Sequence, residues 1–332
     1  MKKKYAVVFV HGLAKKPSPE KLEHMWRWGL ERSDTPLPFG DNNPGIDLDT
    51  QGVPGIFNYY ADVFYGTDYE MNFDSYYESE SDVVVKGKNF DYVAGELATP
   101  EPASAEELKF LEELERKMRE VPSPVEPAGL DALPPTREAS PLEIASWLPD
   151  PIKQAVIKKA AMEAYYFLFN KDYVRPVDGV TFKVRQELRS RLINDLRVAA
   201  ERAEKLVLVA HSLGTIIAYD VIRNCENCPP VDVLFTLGSP LGITEVQERL
   251  LAKGKAKVDF PPALGRWINV YDPLDPICGA DPKMVDFDPF EDRKVYDVRE
   301  SNWGSWRHTI THYFAGRRFR TLLADVLGLQ RR

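Results

Sequence analysis

The chain has 332 residues, enough to bury a sizeable core in one large domain or in a domain carrying an insertion. A composition that is 44% hydrophobic and 28% charged is that of a globular protein, and a net charge of −8 argues against nucleic acid or an anionic membrane surface as partner. Three cysteines make no disulfide framework, and no stretch reaches the roughly 18–20 apolar residues that span a bilayer, so a cytoplasmic protein without an integral membrane segment is expected.

Lys2-Lys3-Lys4 ahead of the apolar residues 5–10 imitates a signal peptide, but the run is short and His11-Gly12 stands where a cleavage region belongs. It reads as a first strand, ending in His11-Gly12-Leu13-Ala14. Residues 18–32 predict a helix, with Ser18 as cap, Pro19 in the first turn and Leu22, Met25, Trp26 and Leu30 as its apolar face. His24, on this helix, is read as structural or solvent-facing. Residues 55–65 read as a second core strand with its following loop.

From 67 to 175 the pattern changes. Residues 67–82 are acidic and tyrosine-rich without the spacing of a calcium-binding loop, and read as a solvated face. Residues 103–121 predict an amphipathic helix opened by a Ser104-x-x-Glu107 capping box. A proline-rich linker over 122–151 follows, then a helix over 151–173 with the aromatic cluster Tyr165, Tyr166, Phe167 and Phe169. These rings either fill the segment's own core or line an acyl pocket. The expected organisation is a core of 1–66 and 176–332, interrupted by a helical, Pro-rich insertion at 67–175 placed to act as a lid.

The core resumes with a long helix over 178–205, whose Val184, Leu188, Leu192, Leu196 and Ala199 recur at helical spacing. Residues 205–219 read K-L-V-L-V-A-H-S-L-G-T-I-I-A-Y, a buried strand that breaks at Ala210-His211-Ser212-Leu213-Gly214 and passes straight into a helix. A serine on such a turn, between small residues, is exposed above a sheet, with the Leu213 N–H aimed at a developing oxyanion from the helix start. The pair Cys225-x-x-Cys228 has no second ligand pair and reads as a turn rather than a metal or redox site. Strands are predicted over 231–237, 266–271 and 294–299, and a final helix over 316–327. Strands alternating with helices imply an α/β fold with a mostly parallel central sheet covered on both faces.

An acyl-transfer serine needs a base, and the base needs an acid to set its tautomer. The chain offers Ser212, then Asp272 or Asp275 after a strand, then His308 or His312 after the last strand, in the order nucleophile, acid, histidine. Each lies at the carboxyl end of a strand, where open α/β sheets keep their sites.

Val10-His11-Gly12, the H-S-L-G-T of 211–215, the L-G-S-P-L-G of 237–242, N-V-Y-D-P-L-D-P over 269–276 and H-T-I-T-H-Y-F over 308–314 together resemble the α/β-hydrolase superfamily, and within it the lipase-like bacterial serine hydrolases. The matching blocks cover the core, about half of the chain, with Ala210 in place of the usual first glycine of the elbow. The resemblance implies the α/β-hydrolase fold. It implies Ser212 as nucleophile, Asp275 rather than Asp272 as acid, His308 rather than His312 as base, and the N–H groups of Leu13 and Leu213 as oxyanion hole. It also implies that His11 orients the oxyanion loop, that His211 points away from the nucleophile, that no cofactor or metal is needed, and that the substrate is a small-molecule or lipid-like ester. A thioesterase, an amidase or peptidase with the same residues, and a catalytically silent interaction module are the alternatives.

Overall fold

The computed structural model describes residues 2–12, 14–33, 43–67, 100–121, 150–303 and 306–329, with the backbone alone at 150–152. Nearly all of the acidic stretch after 67 and of the proline-rich linker lies outside these residues. Six strands form one sheet: β1 (Lys3–Val10), β2 (Gly55–Asn58), β5 (Ala203–His211), β6 (Val231–Leu237), β7 (Leu264–Tyr271) and β8 (Tyr296–Arg299). Their order is β2-β1-β5-β6-β7-β8, and every pairing is parallel. Strands buried on both faces have no polar side to present, which is why β5 and β6 read as almost unbroken apolar runs.

Register shows how the two faces are covered. Phe9, Val209, Phe235 and Ile268 are successive partners across the sheet and point to one face. There Phe9 packs on Trp26 of α1 (Pro19–Glu31), and Phe235 packs on Phe319 of the C-terminal helix Arg317–Leu327. One residue earlier, Val8, Leu208, Leu234 and Trp267 point to the opposite face, where Trp267 meets Tyr219 of the helix Leu213–Asn224. The chain runs outward from β1 to β2, then crosses back and fills the other side from β5 to β8. The direction of winding therefore reverses between β1 and β5, the crevice where doubly wound sheets place their sites.

Three elements differ from expectation. The second strand stops at Asn58, and Ala61–Tyr65 is a short helix, α2, whose Asp62 pairs with Arg191 at 2.5 Å. The helix expected over 151–173 is α4 (Asp150–Leu168), ended by Asn170 in a left-handed conformation (φ 53°) that asparagine tolerates. Beyond it, β3 (Asp172–Val174) and β4 (Thr181–Lys183) form an antiparallel hairpin, so the long helix α5 starts only at Val184 and runs to Arg202. This hairpin joins the two sides of the expected boundary at 175/176.

The helix α3 (Ala105–Glu120) carries its predicted cap. Ser104 Oγ accepts the Glu107 N–H at 3.2 Å, while Glu107 reaches back to the Ala103 N–H and across to Tyr165 and Lys171. Tyr165, Tyr166 and Phe169 pack among one another, and Tyr166 also packs on Tyr173. Among the described residues, no helix is long and apolar enough to cross a membrane.

Candidate functional site

Ser212 stands between β5 and the helix Leu213–Asn224, α6, with φ 56° and ψ −129°. A residue with a side chain held there costs of order 1–3 kcal/mol of backbone strain. Neighbouring bonds hold the turn. The Ser212 N–H donates to Leu237 C=O at 3.0 Å, and the Ser212 C=O accepts from the Thr215 N–H at 3.0 Å and the Thr215 hydroxyl at 2.6 Å. Thr215 is itself fixed by the Ser239 hydroxyl at 2.7 Å. Leu213 opens the helix, so its N–H has no intrahelical acceptor.

Close packing explains the small residues. A Cβ on Gly214 would fall 2.5 Å from the His11 carbonyl oxygen, and one on Gly12 would fall 2.6 Å from Ser212 Cβ. At Ala210, by contrast, a methyl group is accommodated with no exposure at all.

Asp275 and His308 form a buried pair. His308 Nδ1 lies 2.8 and 2.9 Å from the two Asp275 oxygens, and the carboxylate also accepts the Ile277 N–H at 2.8 Å and the Tyr313 hydroxyl at 2.7 Å. Burial pushes the Asp275 carboxyl up, but the His308 charge and these donors outweigh it and hold the group below the usual aspartate range. The bond at Nδ1 leaves His308 Nε2 as the outward nitrogen. Both Nε2 and Ser212 Oγ are buried, and neither has a hydrogen-bond partner among the described residues, so the Ser212–His308 bond is not made in this conformation.

The other candidates go elsewhere. Asp272 caps its loop: Oδ1 accepts the Leu274 N–H at 2.8 Å and Oδ2 the Asn302 N–H at 2.7 Å, with Arg307 3.4 Å away. His312, on the short helix Ile310–Ala315 (α7), packs its ring against Trp303 at 3.8 Å rather than meeting either aspartate. Burial, then the charges of Arg32 and Arg307, hold it well below the usual histidine range. The structure thus brings His308 to Asp275 and leaves Asp272 and His312 out of that contact.

His211 departs from expectation. Expected to point away from the nucleophile, it stacks its ring on that of His308 at 4.5 Å. His11 stacks on Tyr60 at 4.0 Å, with Nδ1 on the Gly12 carbonyl at 2.6 Å and Nε2 accepting the Tyr60 N–H at 3.0 Å. It braces the turn after β1. Leu13, the other expected oxyanion donor, lies outside the described residues.

Three contributors escaped the sequence reading. Tyr313 orients Asp275. A Cβ on Gly238, at φ +55°, would come within 2.8 Å of Asp275 Oδ2 and 3.1 Å of the His308 ring. Glu163 on α4 accepts the Ala14 N–H at 2.8 Å and the Tyr65 hydroxyl at 2.5 Å, tying the described part of the insertion to the turn after β1. Burial, against those two donors and the charges of Lys16 and Lys159, raises Glu163 to about 7. A signal for Glu163 existed in the lone acid of A-A-M-E-A-Y-Y-F-L. A cleft of about 680 Å³ runs along α5, lined by Arg185, Arg189 and Arg197 among others, and touches none of the Ser212 cluster. Compared with known proteins, the chain matches no protein-family model, and no curated protein sequence is similar to it at a significant level.

Proposed function

We propose that the protein is a serine hydrolase of the α/β-hydrolase type that cleaves carboxylic esters. The observation that carries this is the pairing of a strained serine turn at the end of the central strand with a buried aspartate–histidine couple whose outer nitrogen is left open. Ser212 Oγ attacks the acyl carbon as His308 Nε2 takes its proton. Asp275 holds the imidazole by Nδ1 and stabilises the imidazolium. The N–H groups of Leu213 and, by its place in the sequence, Leu13 receive the oxyanion. His308 returns the proton to the leaving alcohol, and water then hydrolyses the acyl-enzyme by the same steps in reverse. No cofactor enters this chemistry. Proton transfer requires Ser212 Oγ to come within reach of Nε2; the tie from Glu163 on α4 to the Ala14 N–H supports a lid role for the insertion.

Intact-mass analysis after incubation with a fluorophosphonate tests the reading: one adduct on the native chain and none on Ser212→Ala is expected. Absence of an adduct on folded native protein would sink it. The open Ser212–His308 contact would then favour a silent, hydrolase-like interaction module. Matched oxygen-ester, thioester and amide substrates rank the acyl groups, with the oxygen ester expected to turn over fastest.

A further inference from the structure

Lys159 sits on α4 one turn before Glu163, and only 6% of it is exposed. Its Nζ is buried and has no hydrogen-bond partner among the described residues. Its neighbour is the Tyr65 ring, 5.6 Å from Nζ to the centroid. Glu163 attracts it only at longer range, since the Glu163 carboxylate is taken up by the Ala14 N–H and the Tyr65 hydroxyl. Lysines this deeply buried are almost always paired, because an ammonium removed from water loses its solvation without return.

The place of this cation matters. Nζ lies over the Tyr65 ring, the Tyr65 hydroxyl donates to Glu163, and Glu163 accepts the Ala14 N–H, two residues after Gly12, which abuts Ser212. Lys15 is near enough to repel it, and Lys16 near enough to act on Glu163 and His11. Lys15 and Lys16 directly follow this turn in the chain, so three lysines lie in its neighbourhood although the net charge of the chain is −8. Burial, with Lys15, draws Lys159 down to about 8, so it is mostly charged at neutral pH.

We propose that Lys159 is an anion-recognition group of the candidate active site, and that the ester substrate carries a carboxylate or phosphate that docks on its Nζ. The inference rests on the serine-hydrolase reading and names the substrate class for it. A charge-assisted hydrogen bond to a buried ammonium corresponds to a preference of about 10- to 100-fold.

The test compares wild type, Lys159→Met and Lys159→Gln on three aryl esters of matched length: one ending in a methyl group, one in a carboxylate, one in a phosphate. Wild type is expected to favour one or both anionic esters in kcat/KM by about 10-fold or more, and both variants to bring that ratio close to one. Which anionic ester is preferred separates carboxylate from phosphate. Lys159→Met is also expected to melt no lower than wild type, because burying the ammonium costs more than the attraction of Glu163 returns. A wild type that labels at Ser212 yet shows no anionic preference overturns the proposal, as does a preference that survives both substitutions. If Ser212 does not label, the hydrolase reading fails on its own. Thermal stabilisation of Ser212→Ala by glutarate or inorganic phosphate then decides the subsite: loss of it in Ser212→Ala/Lys159→Met supports the proposal, and its persistence or absence in both overturns it.

Discussion

The Tyr313 hydroxyl donates to Asp275 Oδ2 at 2.7 Å, the same oxygen that lies 2.8 Å from His308 Nδ1. Tyr313 is aimed by the Asp272 N–H, which donates to its oxygen at 3.2 Å, so this side chain joins the end of β7 to the helix α7. A buried carboxylate that loses a donor rises in pKa and supports an imidazolium less well. Tyr313→Phe should lower ester turnover by about 10-fold or more, since a hydrogen bond to a charged group contributes about 1.5–3 kcal/mol. A pH–rate profile checks it: kcat should fall while KM changes little, and an unchanged kcat would count against Tyr313 as a positioning residue.

The two aspartates at the end of β7 should separate cleanly by substitution. Asp275→Asn is expected to lower turnover by about 10⁴-fold, as losing the acid of such a triad does elsewhere. Asp272→Asn should leave the fluorophosphonate adduct in place and instead cost about 1–3 kcal/mol of stability, because its carboxylate caps the backbone N–H groups of Leu274 and Asn302. Denaturant unfolding beside adduct formation reads both effects, and the reverse pattern would exchange their roles.

At Gly238 an added methyl group meets both strain and contact. Its φ of +55° disfavours any side chain, and its Cβ would press on Asp275 and His308 at 2.8 and 3.1 Å. Gly238→Ala should cost about 1–3 kcal/mol and slow labelling of Ser212. Calorimetry with a labelling time course checks this, and native labelling rates would mean that the pair can move aside freely.

Two buried histidines should each contribute a loss of stability as pH falls from the top of the histidine range. Burial, chiefly, holds both His11 and His312 well below 6.5 in the fold, whereas the unfolded chain takes up protons at the ordinary value. Below about 6.5 these two histidines bind more protons in the unfolded state, so their contribution to stability falls with pH until the folded-state values are passed, whereas Glu163, raised to about 7, contributes the opposite slope. The charged groups facing His312 are Arg32 and Arg307, and those facing His11 are Lys16 and Arg191; all four oppose protonation. Between about pH 6.5 and 5 the urea midpoint of His312→Phe, which keeps an aromatic ring against Trp303, should lose less or gain more than that of wild type. An identical slope in that variant would remove His312 from the account.

Sequence alone determined the alternation of strands and helices, the parallel sheet, the Ser104 cap and the serine turn. Those features are local: a strand buried on both faces must be apolar along its length, and a sharp turn between strand and helix must be built of small residues. Sequence also narrowed the polar candidates to two aspartates and two histidines. The family resemblance favoured Asp275 and His308 among them, but only the tertiary structure brings these two side chains together across 33 residues. The short helix at Ala61–Tyr65 and the hairpin of β3 and β4 were illegible for a related reason. Strands of three residues carry too little periodicity, and their pairing is specified by contacts with α2 and α5. Glu163 reaching Ala14 across 149 residues, and His211 turning onto His308, belong to the same class: their partners exist only once the layers have closed.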